Sequence, residues 1–167
     1  MVTIDLERVN VVAPYHFTPT SYSVLTFSVL TDYGVKYTMS FYENDLLPGI
    51  HAYEFVISNV NQRKSPRDIK LRQSIIALIQ EFFRQREAVL IYLCETGDNR
   101  QRQRFRLFES WFRISGKGNF VSLSMDLVDL EGVPNYAAII TRMDNPNLSF
   151  ITKQFTETVE LLREKPE

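Results

Sequence analysis

A run of arginines in the middle of the chain has the residue types and spacing of an anion-binding site. Arg100, Arg102 and Arg104 directly follow a polar turn that ends at Asn99. Guanidinium groups pair with phosphate or carboxylate oxygens, and the first amides of a helix add donors for the same anion. The pattern therefore predicts an anion-binding site formed by Asn99 and the three arginines at the start of a helix.

The same segment also fits a solvated helix face without any ligand. Arg102, Arg106, Glu109 and Arg113 recur at intervals of three or four residues, so they would lie in one row on the helix and form weak surface ion pairs. Both interpretations remain open at this stage.

A second group of cations surrounds the start of the preceding predicted helix: Arg63, Lys64, Arg67 and Lys70. Combined with the aromatic Tyr53 and Phe55 of the strand before it, this group would suit RNA or single-stranded DNA, whose bases stack on rings while cations follow the backbone. The chain has no recognisable nucleic-acid-binding motif, and both aromatic residues also fit a hydrophobic core.

The basic residues of the chain are concentrated in the region that contains both groups of cations. The 167 residues carry 19 Lys and Arg against 20 Asp and Glu, a formal net charge of −1, but residues 63–117 hold 13 of the basic and only 6 of the acidic residues. A basic middle predicts binding of an anionic ligand or a protein partner, whereas neutralisation by the acidic remainder is the alternative.

The usual catalytic and metal-binding patterns are missing from the sequence. His16 and His51 are isolated, and Cys94, the single cysteine, follows an apolar run. No spacing suits a zinc site, a Gly-x-Ser-x-Gly nucleophile or a phosphate-binding P-loop. Glu54 on a predicted strand is the one candidate general base, and solvated strand carboxylates are common. We therefore predict no catalytic residue and no metal, and leave open whether the protein is an enzyme.

The composition, with 44% hydrophobic residues, is that of a globular protein. The longest apolar run, Ala88–Cys94, is far below the ~20 residues of a membrane span, and the N-terminus is acidic where a signal peptide would be basic. We expect one cytoplasmic domain over residues 1–167 with no membrane contact. Residues 1–20 are expected to be irregular or to add a strand near Thr3–Val12.

Hydrophobic alternation predicts a β-hairpin formed by Tyr22–Leu30 and Val35–Tyr42, with Gly34 at its turn, and a third strand over His51–Ser58. A helix should follow from Ser65 as N-cap, with Pro66 at the first helical position, to about Arg86.

Ala88–Cys94 then reads as a central strand covered on both faces. The remaining pattern predicts a second helix over residues 99–114, a hairpin formed by Asn119–Leu127 and Tyr136–Met143, and a final helix over Leu148–Arg163. The predicted fold is an α+β single domain with a mixed, mostly antiparallel sheet and the order β-β-β-α-β-α-β-β-α.

This order resembles that of the GNAT superfamily of acyl-CoA-dependent N-acyltransferases. Gln62 lies where that family has an Arg or Gln before its glycine-rich turn, but here Arg63, Lys64 and Pro66 replace the glycines, and Phe108 stands near the position of a tyrosine general acid. The resemblance implies an acetyl-CoA cofactor, which would be held by Arg63, Lys64 and Arg67 side chains.

Several short segments also resemble an uncharacterised bacterial family of unknown function: Arg67-Asp68, Phe82-Phe83, Ile91–Cys94, Arg104–Phe108 and Trp111-Phe112. This resemblance covers most of the chain and implies a small bacterial domain with no assigned catalytic residue. We predict a non-catalytic or degenerate GNAT-like domain that binds an anionic ligand or a protein partner. The alternatives are an acyl-CoA-dependent N-acyltransferase and an RNA- or single-stranded-DNA-binding module.

Overall fold

The computed structural model describes residues 2–21, 25–94, 106, 109–110, 119–128, 132 and 134–163, without side chains at 93–94, 127–128, 134–135 and 162–163. The chain divides into two compact units. The first contains Met1–Tyr42 and Glu54–Gln85, and the second contains Glu43–Tyr53 and Arg86–Glu167. The expectation of a single domain stays a prediction.

The helices and strands up to residue 85 are α1 (Leu6–Val12), β1 (Thr18–Pro19), β2 (Thr26–Leu30), β3 (Lys36–Asn44), β4 (Ala52–Asn59) and α2 (Ile69–Phe82). The later ones are β5 (Val89–Cys94), β6 (Phe120–Val128), β7 (Pro134–Arg142) and α3 (Leu148–Arg163). Arg106, Glu109 and Ser110 are also helical, and the rest of the helix predicted over residues 99–114 lies outside the described residues.

The strands confirm the predicted α+β class and both hairpins. β2 pairs antiparallel with β1 and β3, in a register that places Leu30 opposite Lys36. β7 pairs antiparallel with β5 and β6, with Ile140 opposite Leu90 and Ser122. The likeness of this order to the GNAT fold stays a prediction.

The turn between β2 and β3 forms as its sequence predicts. Gly34 has a φ of +75°, a conformation that costs glycine little because it has no Cβ. The backbone N–H of Gly34 donates to the Thr31 carbonyl at 3.0 Å, and the Val35 N–H donates to Thr31 Oγ1 at 3.2 Å. Local sequence alone is sufficient to specify this turn.

The prediction of an extended segment over Thr3–Val12 is wrong, because α1 occupies it. The Asp5 side chain caps this helix by accepting hydrogen bonds from the N–H groups of Glu7 and Arg8 at 3.1 and 3.4 Å. The extra strand is β1, further along the N-terminal segment. The signal was the N-cap aspartate, which the strand interpretation overlooked.

The bounds predicted for the first long helix are also wrong at both ends. Asp68 is the N-cap of α2, since its side chain accepts from the Leu71 N–H, and the helix ends at Phe82, before Arg86. Residues 62–68 have no helical structure. The hydroxyl of Ser65 instead accepts a hydrogen bond from the buried Tyr37.

The core of the first unit forms between β3 and α2. The rings of Phe41 and Phe82 are stacked with centroids 4.7 Å apart, and Phe41 also contacts Phe55 at 5.0 Å. Ile75, Leu78 and Ile79 of α2 are also buried, whereas Ile69 at its first position is 59% exposed.

The core of the second unit includes the inner face of α3. Ile151, Phe155 and Val159 are each 1% exposed and pack in one cluster with residues of β5 and β7. Val89, Leu90 and Ile91 are all buried, as predicted for a strand covered on both faces. In the part of the chain that the structure describes, no helix has the length and apolarity needed to span a membrane.

Candidate anion-binding site

Three of the four cations predicted around the start of the first long helix, Arg63, Lys64 and Arg67, lie on the segment that joins β4 to α2. We call this segment, residues 60–68, the basic loop. Residues 60–67 are all exposed, and Asp68 is half-buried. Arg63, Lys64 and Arg67 therefore present their charges to solvent along one short stretch. Because this stretch contains no regular secondary structure, contacts with other segments must hold it in place.

The first half of the basic loop is bound to the β2–β3 turn and the start of β3. The amide of Asn61 donates to the Gly34 carbonyl at 2.8 Å and accepts from the Lys36 N–H at 3.1 Å. The Val60 N–H donates to the Lys36 carbonyl at 2.7 Å. Gln62 follows with a φ of +55°, which turns the loop away from the strand direction.

The second half of the loop reaches the same turn through side chains. Asp68 accepts a hydrogen bond from the hydroxyl of Tyr15 at 2.6 Å, and that hydroxyl accepts one from the Asp32 N–H at 3.3 Å. The Lys70 ammonium pairs with the Asp32 carboxylate at 2.8 Å. The basic loop is therefore fixed at both ends to residues 32–36.

Tyr15 is the buried member of this network, with 5% of its surface exposed. Burial is the main reason that its pKa is raised to about 12, and the hydrogen bond to Asp68 adds to the effect. Tyr15 therefore keeps its proton at neutral pH and acts as a fixed donor to Asp68.

The predicted cations differ in whether they form an ion pair with an acidic side chain. The hydrogen bond and charge of Asp32 raise the pKa of Lys70, and that ion pair neutralises its charge. The Arg63 guanidinium lies over the turn, since a Cβ atom added at Gly34 would be 2.6 Å from Arg63 Nη1. Among the described residues, no ion pair includes Arg63, Lys64 or Arg67.

The N-terminus of α2 is occupied by the chain itself. Asp68 Oδ1 accepts the Leu71 N–H at 3.2 Å, so a negative charge already stands where a helix start would attract an anion. An anion at this site would be held by side chains of the basic loop rather than by helix amides.

Exposed apolar side chains adjoin these cations, which the sequence reasoning did not identify. Leu30 is 64% exposed, Tyr33 is 55% exposed and Val60 is 50% exposed. The available signal for Leu30 was its place directly after the inward-facing Val29, because successive strand residues point to opposite faces.

The other predicted anion-binding group, Asn99, Arg100, Arg102 and Arg104, lies outside the described residues. Of the alternative row on the same helix, Arg106 is exposed and Glu109 is half-buried. The Glu109 carboxylate accepts a hydrogen bond from Ser122 at 2.7 Å.

The candidates for other chemistry are dispersed. His16 and His51 are both exposed, and Glu54 is half-buried on β4. Among the residues that the structure describes, no group of three or more His, Cys, Asp or Glu side chains is arranged to hold a metal ion. The side chain of Cys94 is outside the described set.

Comparison with known proteins identifies one family. A model of a family of unknown function matches residues 67–157, which is just over half of the chain. No curated protein and no solved structure matches the chain.

Proposed function

Since the chain belongs to the DUF6169 family of unknown function, we propose from its own geometry that it binds an anionic partner through Arg63, Lys64 and Arg67 of the basic loop. The observation that carries the proposal is that the loop is bonded to the β2–β3 turn directly at Asn61 and through the Tyr15 hydroxyl at Asp68, while its three cations stay exposed.

Cations on a backbone that is already held bind more tightly than cations on a mobile segment, because less conformational freedom of the chain is lost when the partner arrives. The Asn61, Asp68 and Tyr15 hydrogen bonds hold the backbone of the loop before any partner binds. Every residue of 60–67 is also exposed to solvent. An open, charged surface suits an extended partner better than a small metabolite, which is usually enclosed.

The polar groups around the loop support a binding role over a catalytic one. Tyr15, Asp68, Asp32 and Lys70 are engaged with one another. A general base needs to reach the proton it abstracts, and a carboxylate already committed to a helix N-cap and a tyrosine hydroxyl is poorly suited to that role.

The acyl-CoA alternative has less support from the same site. A cofactor pyrophosphate is bound by free amides at a helix start, but Asp68 occupies the Leu71 amide and Pro66 has no N–H. Nucleic-acid binding loses one of its two predicted stacking residues, since Tyr53 is 1% exposed, and a base cannot stack on a buried ring.

Retention on a heparin column at neutral pH tests the proposal. The formal net charge of −1 provides no general attraction to a polyanion, so retention must come from a local basic surface. We expect the wild type to be retained and the Lys64→Gln/Arg67→Gln variant to elute at clearly lower salt. Arg63 stays unchanged in this variant because it packs over Gly34.

Arg86→Gln/Lys153→Gln is the matched control, since it removes one Arg and one Lys that are both exposed outside the basic loop. It should elute with the wild type. Equal shifts of the two double variants, or a wild type that is not retained, would contradict the proposal.

Thermal unfolding with acetyl-CoA, and with sulfate as the anion control, distinguishes the acyltransferase alternative from our proposal. A ligand at a hundred times its Kd stabilises a fold by ~2.7 kcal/mol. Our proposal expects acetyl-CoA to stabilise no more than sulfate does. A larger effect of acetyl-CoA that is lost in Arg67→Glu would favour the acyltransferase.

A further inference from the structure

We infer that the anionic partner is a polypeptide segment carrying both acidic and apolar side chains, and that it docks where the basic loop meets the β2–β3 turn. This inference rests on the proposed function and identifies the class of partner. The surface consists of Leu30, Tyr33, Lys36, Val60 and Arg63, and is called the turn surface below.

Backbone pairing places the members of the turn surface next to one another. Leu30 and Lys36 are directly opposed in the β2–β3 pair, so their side chains lie on the same face of the sheet. The Val60 N–H donates to the Lys36 carbonyl at 2.7 Å. Leu30, Lys36 and Val60 therefore lie side by side on neighbouring segments of the chain.

The turn itself connects these residues to the basic loop. Tyr33 lies in the turn beside Gly34, and the Arg63 guanidinium lies over Gly34. The apolar side chains Leu30, Tyr33 and Val60 are each at least half exposed. Exposed apolar side chains beside cations are typical of protein-binding surfaces, where a few residues, often Tyr and Arg, supply most of the affinity.

The pairing of aliphatic and basic side chains favours a polypeptide over a nucleic acid. Single-stranded nucleic acids derive much of their affinity from bases that stack on aromatic rings. Tyr33 is the one aromatic member of the turn surface, and Leu30 and Val60 have no ring. A polypeptide can place carboxylates at Lys36 and Arg63 and apolar side chains against Leu30 and Val60 at the same time.

The test compares two labelled peptides of equal length and equal glutamate content by fluorescence anisotropy. In the first, the leucine peptide, the residues between successive glutamates are alternately Leu and Ser. In the second, the serine peptide, all of these residues are Ser. We expect the wild type to bind the leucine peptide about tenfold more tightly, since burial of a few apolar groups has that effect on Kd. Oligouridine of the same charge is the nucleic-acid probe.

The variant Leu30→Thr/Val60→Thr should bind both peptides equally, with the affinity that the wild type has for the serine peptide. Thr retains β propensity at these exposed positions. Val11→Thr/Val12→Thr is the control, because these valines are 86% and 68% exposed on α1, and it should behave as the wild type does. Because the two peptides are also compared on the wild type, that result does not depend on whether a variant folds.

One outcome would overturn the inference and leave the proposed function standing. In this outcome the wild type binds the two peptides equally, and Lys64→Gln/Arg67→Gln binds neither. Tighter binding of oligouridine than of the leucine peptide would also overturn it, in favour of a nucleic acid. If neither peptide nor oligouridine binds and heparin does not retain the protein, the proposed function fails and the inference fails with it.

Discussion

The Tyr15 hydroxyl donates a 2.6 Å hydrogen bond to the Asp68 carboxylate across 53 positions of sequence. Asp68 is also the N-cap of α2, so this one carboxylate joins the segment before β1 to the start of the helix and to the end of the basic loop. This contact is one of those that hold the loop carrying the exposed cations.

Replacing Tyr15 by Phe should lower the free energy of unfolding by about 2 kcal/mol, because the change removes a buried hydrogen bond to a charged group. It also removes the acceptor of the Asp32 N–H. Urea denaturation measures the effect. Tyr33→Phe is the matched control, and since Tyr33 is 55% exposed, it should change stability by less than about 0.5 kcal/mol. Equal effects of the two variants would contradict the assigned role of Tyr15.

The raised pKa of Tyr15 predicts a stability change at alkaline pH. The folded pKa of about 12 lies above the ordinary tyrosine value of 10.0, so the folded state holds the proton more tightly than the unfolded chain does. The stabilising contribution is complete below pH 10 and is lost as the pH rises through 12. Urea denaturation across this range should show the advantage of the wild type over Tyr15→Phe becoming smaller. An advantage that stays constant would show that Tyr15 does not titrate there.

Gly34→Ala should destabilise the protein by about 1 kcal/mol, because an L-residue is strained in the left-handed region. Gly132 is the matched control, since its φ of +79° is similar and nothing lies within 4 Å of an added Cβ, whereas at Gly34 that atom would meet Arg63 Nη1. The end of an arginine side chain can move away, so thermal denaturation should give similar losses for Gly34→Ala and Gly132→Ala. A much larger loss at Gly34 would show that the Arg63 guanidinium is held rigidly.

Phe155→Ala should lower the free energy of unfolding by about 3–5 kcal/mol, since it leaves a cavity in a packed core. Phe155 is 1% exposed and contributes to the cluster that includes Ile91 and Ile139. Leu161→Ala on the same helix is the control, because Leu161 is 69% exposed, and it should cost less than about 0.5 kcal/mol. Comparable losses in urea denaturation would contradict the assigned inner face of α3.

Elements with a regular local pattern were predictable from the sequence. The final helix begins and ends at Leu148 and Arg163 as predicted, because apolar residues at helical spacing define its buried face. The β2–β3 hairpin follows from alternation and from Gly34. These signals come from neighbouring residues and need no knowledge of distant contacts.

The start of α2 shows where such reasoning fails. Ser65, Pro66 and Asp68 form a credible helix start with Ser65 as N-cap, but Asp68 caps the helix and the Ser65 hydroxyl pairs with Tyr37. Tyr15 and Tyr37 are distant in sequence, so their hydrogen bonds to the two candidate caps could not be read from the local pattern.

The sequence by itself determined that the protein is α+β, that its middle is basic, and that Arg63, Lys64 and Arg67 are candidates for anion binding, because composition and periodicity are properties of the chain. Only the tertiary structure decided that these cations lie on a loop held by the β2–β3 turn and that Leu30 lies near the exposed Val60 of that loop. It also decided that Tyr53 is buried. Burial and hydrogen-bond partners depend on which distant segments meet, and that is a property of the folded molecule.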